Sequence, residues 1–251
     1  MPQKPRRRIR RRRKRPNYFL RTLLFLLLVV TAGYFFLQSA TFNLQKIVVS
    51  GNKEVPSNEI ISLSGLRTGI NIFSIEAEPS IKAIVTNPLV ADVEISKEFP
   101  STIEIHIQER TAVALIPSQN GMMFIDKDGY SLKEKRELSS LDLPIITGNV
   151  LPADFPLGKK ITSADLAMGI EVINQLDEEL KKRIAETNVK NNYITLFLDD
   201  NSQVRIGLPE RLKEKLALFD AIVEEEKKKK DSKQIDYIDV SVEGAPVIKY
   251  K

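Results

Sequence analysis

The 251-residue sequence contains no cysteine, no tryptophan and one histidine. Without cysteine, the chain forms no disulfides, has no thiol nucleophile and cannot build zinc sites on thiolates. A single histidine provides too few imidazole ligands for an ordinary zinc site. The chain therefore lacks much of the side-chain chemistry on which hydrolases and metalloenzymes depend, and we expect no cofactor.

Acidic side chains are absent from the first 53 residues, although the whole chain has 33. Ten Lys and Arg residues lie between Lys4 and Arg15, and removing the eleven basic residues up to Arg21 from the total of 38 leaves 27. The remainder is therefore net acidic, so we expect no nucleic acid partner for it. A nucleic-acid arm is also disfavoured because no aromatic residue is interleaved among the arginines, and we expect the tail to contact membrane lipid.

An uncharged stretch at residues 22–37 follows the basic tail, and residues 18–21 extend it to a helix of about 30 Å, enough to span a bilayer. Arg15, Tyr18 and Arg21 are expected at the membrane interface. The basic tail predicts a cytoplasmic N-terminus and an extracytoplasmic C-terminus. A cleavable signal peptide is the alternative, but the apolar stretch is long and the best cleavage site has Gln38 where a small residue is required.

The residues after this span predict a small domain with the element order β-α-α-β-β. Alternating apolar residues predict its strands, the last of which buries Ile103, Ile105 and Ile107. The predicted elements are a strand at 47–49, a helix at 57–66 capped by Ser57, a helix from 76 to about 86 that buries Ile81, Ile84 and Val85, and two strands joined at 99–101.

A second domain is predicted from residue 111 onward. Its first part, to about residue 146, shows short strands and turns. Thr162 and Asp165 suggest a capping box that opens an amphipathic helix of about five turns. One face of this helix is apolar and consists of Leu166, Ile170, Ile173, Leu176 and Leu180. A hairpin at 193–207 precedes a second amphipathic helix with Pro209 near its start. The last segment, 235–250, is predicted as a strand pair or an extended tail.

Five short segments lie at the joints between predicted elements of the first domain. They are VVSGN at 48–52, GINIF at 69–73, NPLV at 87–90, EFP at 98–100 and QER at 108–110. These segments resemble the FtsQ-type POTRA domain of the FtsQ/DivIB bacterial cell-division family, and IDYIDV near the C-terminus resembles the family's terminal strand. The resemblance covers roughly residues 16–251.

The resemblance implies an α+β protein with a cytoplasmic tail at 1–17, a transmembrane helix at 18–38, a POTRA domain at 42–110 and a mixed β-sheet domain at 111–251. It further implies a single-pass membrane protein of the division septum that has no enzymatic activity. Its expected partners are bitopic division proteins of the FtsB/DivIC and FtsL types.

An exposed final strand would offer a partner unpaired N–H and C=O groups for strand addition. We therefore predict that the partner-binding residues lie in one segment: Tyr237, Ile238, Asp239, Val240, Ser241 and Val242. Odd-numbered residues of this segment share one face, and even-numbered residues share the other. The segment could instead be only the last strand of a core, and a strand can serve both roles.

Two other functional classes stay open. A POTRA-bearing factor for exported polypeptides would carry tandem POTRA units or a following barrel, and an anchored hydrolase would need a nucleophile that no local arrangement singles out.

His106 is predicted to face solvent from its strand instead of acting as a base. The acidic groups at 126–128 and 199–200 fit turns better than metal loops.

Overall fold

The computed structural model describes residues 18–136, 143–148, 151, 152, 154–228, 234–242 and 244–251. The predictions for the basic tail, including the interface role of Arg15, lie outside these residues. Two compact units can be distinguished. The first comprises residues up to 46 together with 67–75 and 97–103, and the second comprises 47–66, 76–96 and 104–251.

The first unit contains helix α1, Tyr18–Leu37, whose side chains are all exposed. This helix is long and apolar enough to cross a membrane. Tyr18 and Arg21 lie in its first turn, where the sequence predicts the interface. Two 3-10 helices, Ala40–Phe42 and Ile72–Ser74, lie in the same unit.

The predicted order β-α-α-β-β is confirmed for the segment that follows α1. Its sheet has the order β1-β3-β2, and Ile103, Ile105 and Ile107 of β3 are buried as predicted. The elements are β1 (Lys46–Ser50), α2 (Ser57–Ser64), α3 (Ala77–Ile84), β2 (Val90–Glu98) and β3 (Thr102–Glu109). Two details were wrong: Pro56 precedes α2 as its cap residue, and Val85 is exposed because α3 ends at Ile84.

A nine-stranded mixed sheet forms the rest of the second unit, and it confirms the α+β fold class. Its strand order is β12-β11-β10-β9-β8-β7-β4-β5-β6. The strands are β4 (Ala112–Ser118), β5 (Gly121–Asp126), β6 (Ser131–Lys135), β7 (Ile145–Thr147), β8 (Ile184–Lys190), β9 (Tyr193–Leu198), β10 (Gln203–Gly207), β11 (Ile235–Asp239) and β12 (Val247–Tyr250). The final segment is therefore a strand pair.

Three helices cover one face of this sheet: α4 (Ala164–Gln175), α5 (Glu178–Arg183) and α6 (Leu212–Lys228). The sequence predicted α4 and α5 as one helix, but Asp177 separates them because its carboxylate accepts the N–H of Leu180 at 2.7 Å and caps α5. The predicted capping box does not form, since Ser163 is the cap residue of α4. The apolar face was nevertheless right: Leu166, Ile170, Ile173, Leu176 and Leu180 are all buried.

Glu109, the last residue of β3, and Arg110, which follows it, connect the first sheet to neighbouring segments. The Glu109 carboxylate accepts backbone N–H groups of Lys53, Glu54 and Val55 at 2.8 to 3.1 Å. Burial raises the pKa of Glu109, but these hydrogen bonds and the Lys53 charge outweigh it, so the pKa lies below its ordinary value. The carboxylate therefore fixes the loop between β1 and α2.

Arg110 joins the first sheet to the second. Its Nη1 lies 2.6 Å from Asp126 Oδ2, and the Asp126 side chain is only 3% exposed. The guanidinium also lies 4.0 Å from the ring centroid of Tyr130. The other Asp126 oxygen accepts the N–H groups of Asp128 and Tyr130, so this acidic group forms the predicted turn.

We expect Arg110→Ala to lower the free energy of unfolding by roughly 3 kcal/mol, because it leaves the Asp126 charge buried without its cation. Lys133→Ala is the control, since it removes a more exposed ion pair with Glu54 and should cost less than about 1 kcal/mol. Urea denaturation of residues 41–251, followed by circular dichroism, measures both. Equal losses would contradict the role assigned to Arg110.

Glu109 should also contribute to the pH dependence of stability. Its folded pKa is depressed, so its contribution is present above the unfolded pKa and is lost as the pH falls through the folded pKa. We expect the stability difference between the wild type and Glu109→Gln to be largest near neutral pH and to shrink below about pH 4. Denaturation at a series of pH values measures it.

The control is Glu78→Gln, because Glu78 is exposed and its ion pair is with Lys82, an exposed residue of the same helix. At neutral pH, Glu78→Gln should change the free energy of unfolding less than Glu109→Gln does. A Glu109→Gln difference that stays constant down to about pH 3 would contradict the assignment.

Candidate partner-docking site

The segment predicted to bind partners begins in an internal strand of the large sheet. β11 pairs in parallel with β10 on one side and antiparallel with β12 on the other. The expectation of an exposed final strand was therefore wrong for Tyr237–Asp239, because four further residues, Val247–Tyr250, cover that edge. The assignment of partner binding to the segment stays a prediction.

The two faces of the segment differ as the alternation predicts up to Val240. Ile238 and Val240 are buried in the core under the helices, at 1% and 2% exposure. Tyr237, Asp239 and Ser241 are half-buried. Val242 departs from the pattern at 67% exposure, because the strand has ended before it. Only part of the predicted set can therefore contact a partner directly.

The strand ends at a turn that Asp239 stabilises. Its Oδ1 accepts the backbone N–H of Ser241 at 2.9 Å and the Ser241 hydroxyl at 2.6 Å. Gly207, at the end of the neighbouring β10, lies against Ser241, and a Cβ on this glycine would come within 2.7 Å of the serine Cβ. Its φ of +77° also favours glycine.

The face of the sheet opposite the helices presents charged side chains around Tyr237. The Arg205 guanidinium lies 4.2 Å from the Tyr237 ring centroid, and the Lys249 ammonium lies 5.6 Å from it on the neighbouring strand. Lys249 also hydrogen-bonds Asp236 at 2.7 Å, which lowers the pKa of Asp236 and raises the pKa of Lys249. This surface combines a flat aromatic ring with both signs of charge.

The two outer edges of the nine-stranded sheet are unequal. At β6, Ser131 donates its N–H to Lys159 and accepts the N–H of Gly158, so a loop covers part of that edge. At β12, no strand within the described residues pairs on the outer side. Val247 and Lys249 of β12 have exposed side chains. The open edge suited to strand addition is therefore β12.

The sequence contained a signal for this edge that the prediction did not use. Gly244, Ala245 and Pro246 form a break between two segments with strand-forming residues, IDYIDV and VIKY. A break of this kind between two such segments is typical of a hairpin. The sequence analysis allowed a strand pair at 235–250 but assigned partner binding to the first strand alone.

The candidate catalytic residues do not form a triad. His106 faces solvent, as predicted, and its Nδ1 lies 3.0 Å from the Ser50 hydroxyl. The nearby carboxylate of Glu104 bonds Ser50 at 3.1 Å instead of orienting the imidazole. The sequence did not predict this Ser–His contact, since 56 residues separate the two. Its geometry fits a polar cross-strand cluster.

The second acidic group also forms a turn. Asp200 Oδ1 accepts the N–H and hydroxyl of Ser202. Burial raises the pKa of Asp200, but these bonds and the Arg183 charge outweigh it, so the pKa lies below its usual value. Within the residues described, no group of three metal-ligating side chains is found.

Two family models match the chain. The model described as "POTRA domain, FtsQ-type" matches residues 42–110, and the model described as "Cell division protein FtsQ/DivIB, C-terminal" matches residues 114–241. The second match alone spans about half of the sequence. Together they cover the first sheet and most of the second sheet, whereas residues 111–113 and β12 lie outside both matches.

Curated relatives match over most of their length. The cell division protein DivIB of Clostridium acetobutylicum is 31% identical over 216 residues, covering 82% of each chain. DivIB of Clostridium botulinum, strain Loch Maree, is 27% identical and covers 82% of this chain and 81% of its own. The cell division protein FtsQ of Syntrophotalea carbinolica is 27% identical and covers 87% and 77%.

A solved structure is also similar to part of the chain. It is the major extracytoplasmic domain of the trans isomer of DivIB from Geobacillus stearothermophilus. The identity is 16%, the similarity covers 46% of this chain and 92% of that one, and the TM-score is 0.34.

Aspartate substitutions two residues apart should separate the core from the surface of the predicted segment. Val240→Asp places a carboxylate in the core and should lower the free energy of unfolding by at least about 3 kcal/mol. Val242→Asp, at an exposed position, should change it by no more than about 0.5 kcal/mol. Urea denaturation of residues 41–251 measures both, and similar losses would contradict the burial of Val240 in the core.

Proposed function

Because this chain belongs to the FtsQ/DivIB family of bacterial cell-division proteins, we propose that it is a non-enzymatic assembly protein of the division septum. It holds bitopic partners of the FtsB/DivIC and FtsL types through its C-terminal sheet. Family membership supports the role in division, and the open edge of β12 is the observation that carries the partner proposal.

Strand addition is the mode of binding that this edge supports. A partner segment laid along β12 would extend the sheet by main-chain hydrogen bonds, which give affinity without demanding a particular sequence. Selection would come from side chains on either face. On the face opposite the helices, Val247 and Lys249 lie beside Asp239 and Tyr237 in the register of the two strands.

The residues predicted from the sequence take different roles in this proposal. Tyr237, Asp239 and Ser241 form the row next to the edge, where a partner's side chains would reach them. Ile238 and Val240 support the row from the core. Val242 lies beyond the strand and is exposed enough to contact a partner's flank.

The membrane topology follows from α1 and the basic tail. The helix anchors the protein in the cell membrane in a single pass, with the tail in the cytoplasm against lipid and both sheets outside. Bitopic partners of the same topology would meet the ectodomain at the same membrane face, which raises their effective concentration at β12.

Among the described residues, the contacts of the single histidine do not form a catalytic site, and this supports the non-enzymatic assignment. Ser50, His106 and Glu104 lie together, but the carboxylate contacts the serine and the imidazole is exposed. A Ser–His nucleophile requires a base that is oriented by its acid. Their contacts serve the packing between β1 and β3.

Site-specific photo-crosslinking tests the proposed edge. A benzophenone amino acid at Lys249, on the open edge, should crosslink an FtsB/DivIC-type or FtsL-type chain co-expressed from the same organism. The matched control is the same amino acid at Lys135, an exposed lysine of β6 at the opposite edge of the sheet. Mass spectrometry of the crosslinked product identifies the partner.

Crosslinks from position 135 and none from 249 would move the docking site to the other edge and overturn the proposal. Crosslinks from neither position, with the chain folded and the partners co-purifying, would place the contact away from both edges. Normal division in cells depleted of the protein would contradict the role in assembly itself.

A further inference from the structure

Four phenylalanine rings of the first unit form a continuous row that begins in α1. Phe36, in the last turn of the helix, lies 5.3 Å from Phe42 between ring centroids. Phe42 lies 5.2 Å from Phe73, and Phe73 stacks on Phe99 at 5.1 Å and 25°. The row therefore leads from the apolar helix to the turn between β2 and β3.

The two rings of this row that lie farthest from α1, Phe73 and Phe99, are exposed. Phe73 is 44% exposed, Phe99 is 59% exposed, and Ile70 in the same loop is 45% exposed. In the same loop, the neighbouring Ile72 is fully buried, whereas the ring of Phe73 points outward. We call Ile70, Phe73 and Phe99 the aromatic patch. Exposed apolar clusters of this kind mark interaction surfaces.

Asn71 ties this loop to the end of the helix. Its Nδ2 donates a hydrogen bond of 2.7 Å to the carbonyl of Leu37, the last residue of α1. Its Oδ1 accepts the N–H of Phe73 and so caps the short 3-10 helix that presents the ring. One side chain therefore satisfies a free carbonyl at the helix end and sets the position of the patch.

The charge of the unit favours a lipid surface over an apolar protein surface. Lys46 and Arg67 are exposed, and Arg67 precedes Ile70 by three residues. Among the described residues of this unit, Glu98 is the only acidic one. Aromatic and apolar side chains flanked by basic residues suit the boundary between acyl chains and anionic head groups.

We propose that the aromatic patch inserts into the extracytoplasmic interface of the bilayer that α1 crosses, beside the helix end. The occupant is lipid, with the rings at the level of the glycerol backbone and Lys46 and Arg67 against phosphates. The proposal rests on the membrane span assigned above. Its consequence is a second point of membrane contact after α1, which restricts rotation of the unit about the helix axis.

The absence of tryptophan from the sequence permits a direct test by fluorescence. Three single-tryptophan variants of the full chain are reconstituted into vesicles of phosphatidylcholine and phosphatidylglycerol. Phe99→Trp reports on the patch and Leu28→Trp on the middle of α1. Tyr193→Trp reports on an exposed position of β9, where the native ring is 43% exposed. Vesicles contain lipids brominated either near the carbonyl end or near the middle of the acyl chain.

We expect the tryptophan at position 99 to be quenched most by the shallow bromines and to be shielded from aqueous iodide. Position 28 should be quenched most by the deep bromines, and position 193 should respond to iodide alone. A Phe73→Trp variant repeats the measurement on the neighbouring ring, so that the result does not depend on one substitution.

Two results would overturn the proposal. If positions 73 and 99 behave like position 193, the patch faces water. If they are shielded from iodide without being quenched by either lipid, protein covers the patch instead. Failure of position 28 to respond to the deep bromines is a separate result, since it would contradict the membrane span on which the proposed topology depends.

Discussion

The contacts of Glu109 and Arg110 are the constraint on which the second unit depends. Two consecutive residues at the end of β3 point in different directions: the carboxylate holds the loop at 53–55, and the guanidinium pairs with the nearly buried Asp126 of the second sheet. Because a buried carboxylate without its cation is strongly unfavourable, the chain has little freedom where the first sheet meets the second. The ion pair therefore limits movement between the end of β3 and the end of β5.

The two faces and the two outer edges of the large sheet differ from each other. Helices α4, α5 and α6 bury one face in a common core, while the other face carries Tyr237 with Arg205 and Lys249 against its ring. One outer edge is partly covered by the loop at 158–159, and the other is left open at β12. In a protein proposed to work by strand addition, this asymmetry directs partners to one edge and protects the other from unspecific pairing.

Sequence patterns predicted the helices and strands whose apolar residues recur at regular spacing. They missed the elements that are stabilised mainly by contacts with other strands or helices. Ile103, Ile105 and Ile107 were placed correctly because alternation reports burial directly. By contrast, β6 reads SLKEK, a charged segment with weak strand propensity, and β8 follows α5 without a break. The division between α4 and α5 was missed for a related reason: Leu176 and Leu180 continue the apolar face, and only the Asp177 cap interrupts the backbone.

The sequence by itself determined a helix long and apolar enough to cross a membrane, the acid-free basic tail, the order of elements in the first domain and the family, because each follows from local pattern or local motif. The position of β12 at the open edge, the pairing of Arg110 with Asp126 and the row of rings from Phe36 to Phe99 were decided only by the tertiary structure. Their members are separated by up to 63 residues along the chain, and no local propensity reports which distant segments become neighbours. For the same reason, the sequence pointed to Tyr237–Val242, one strand away from the edge where we propose that partners bind.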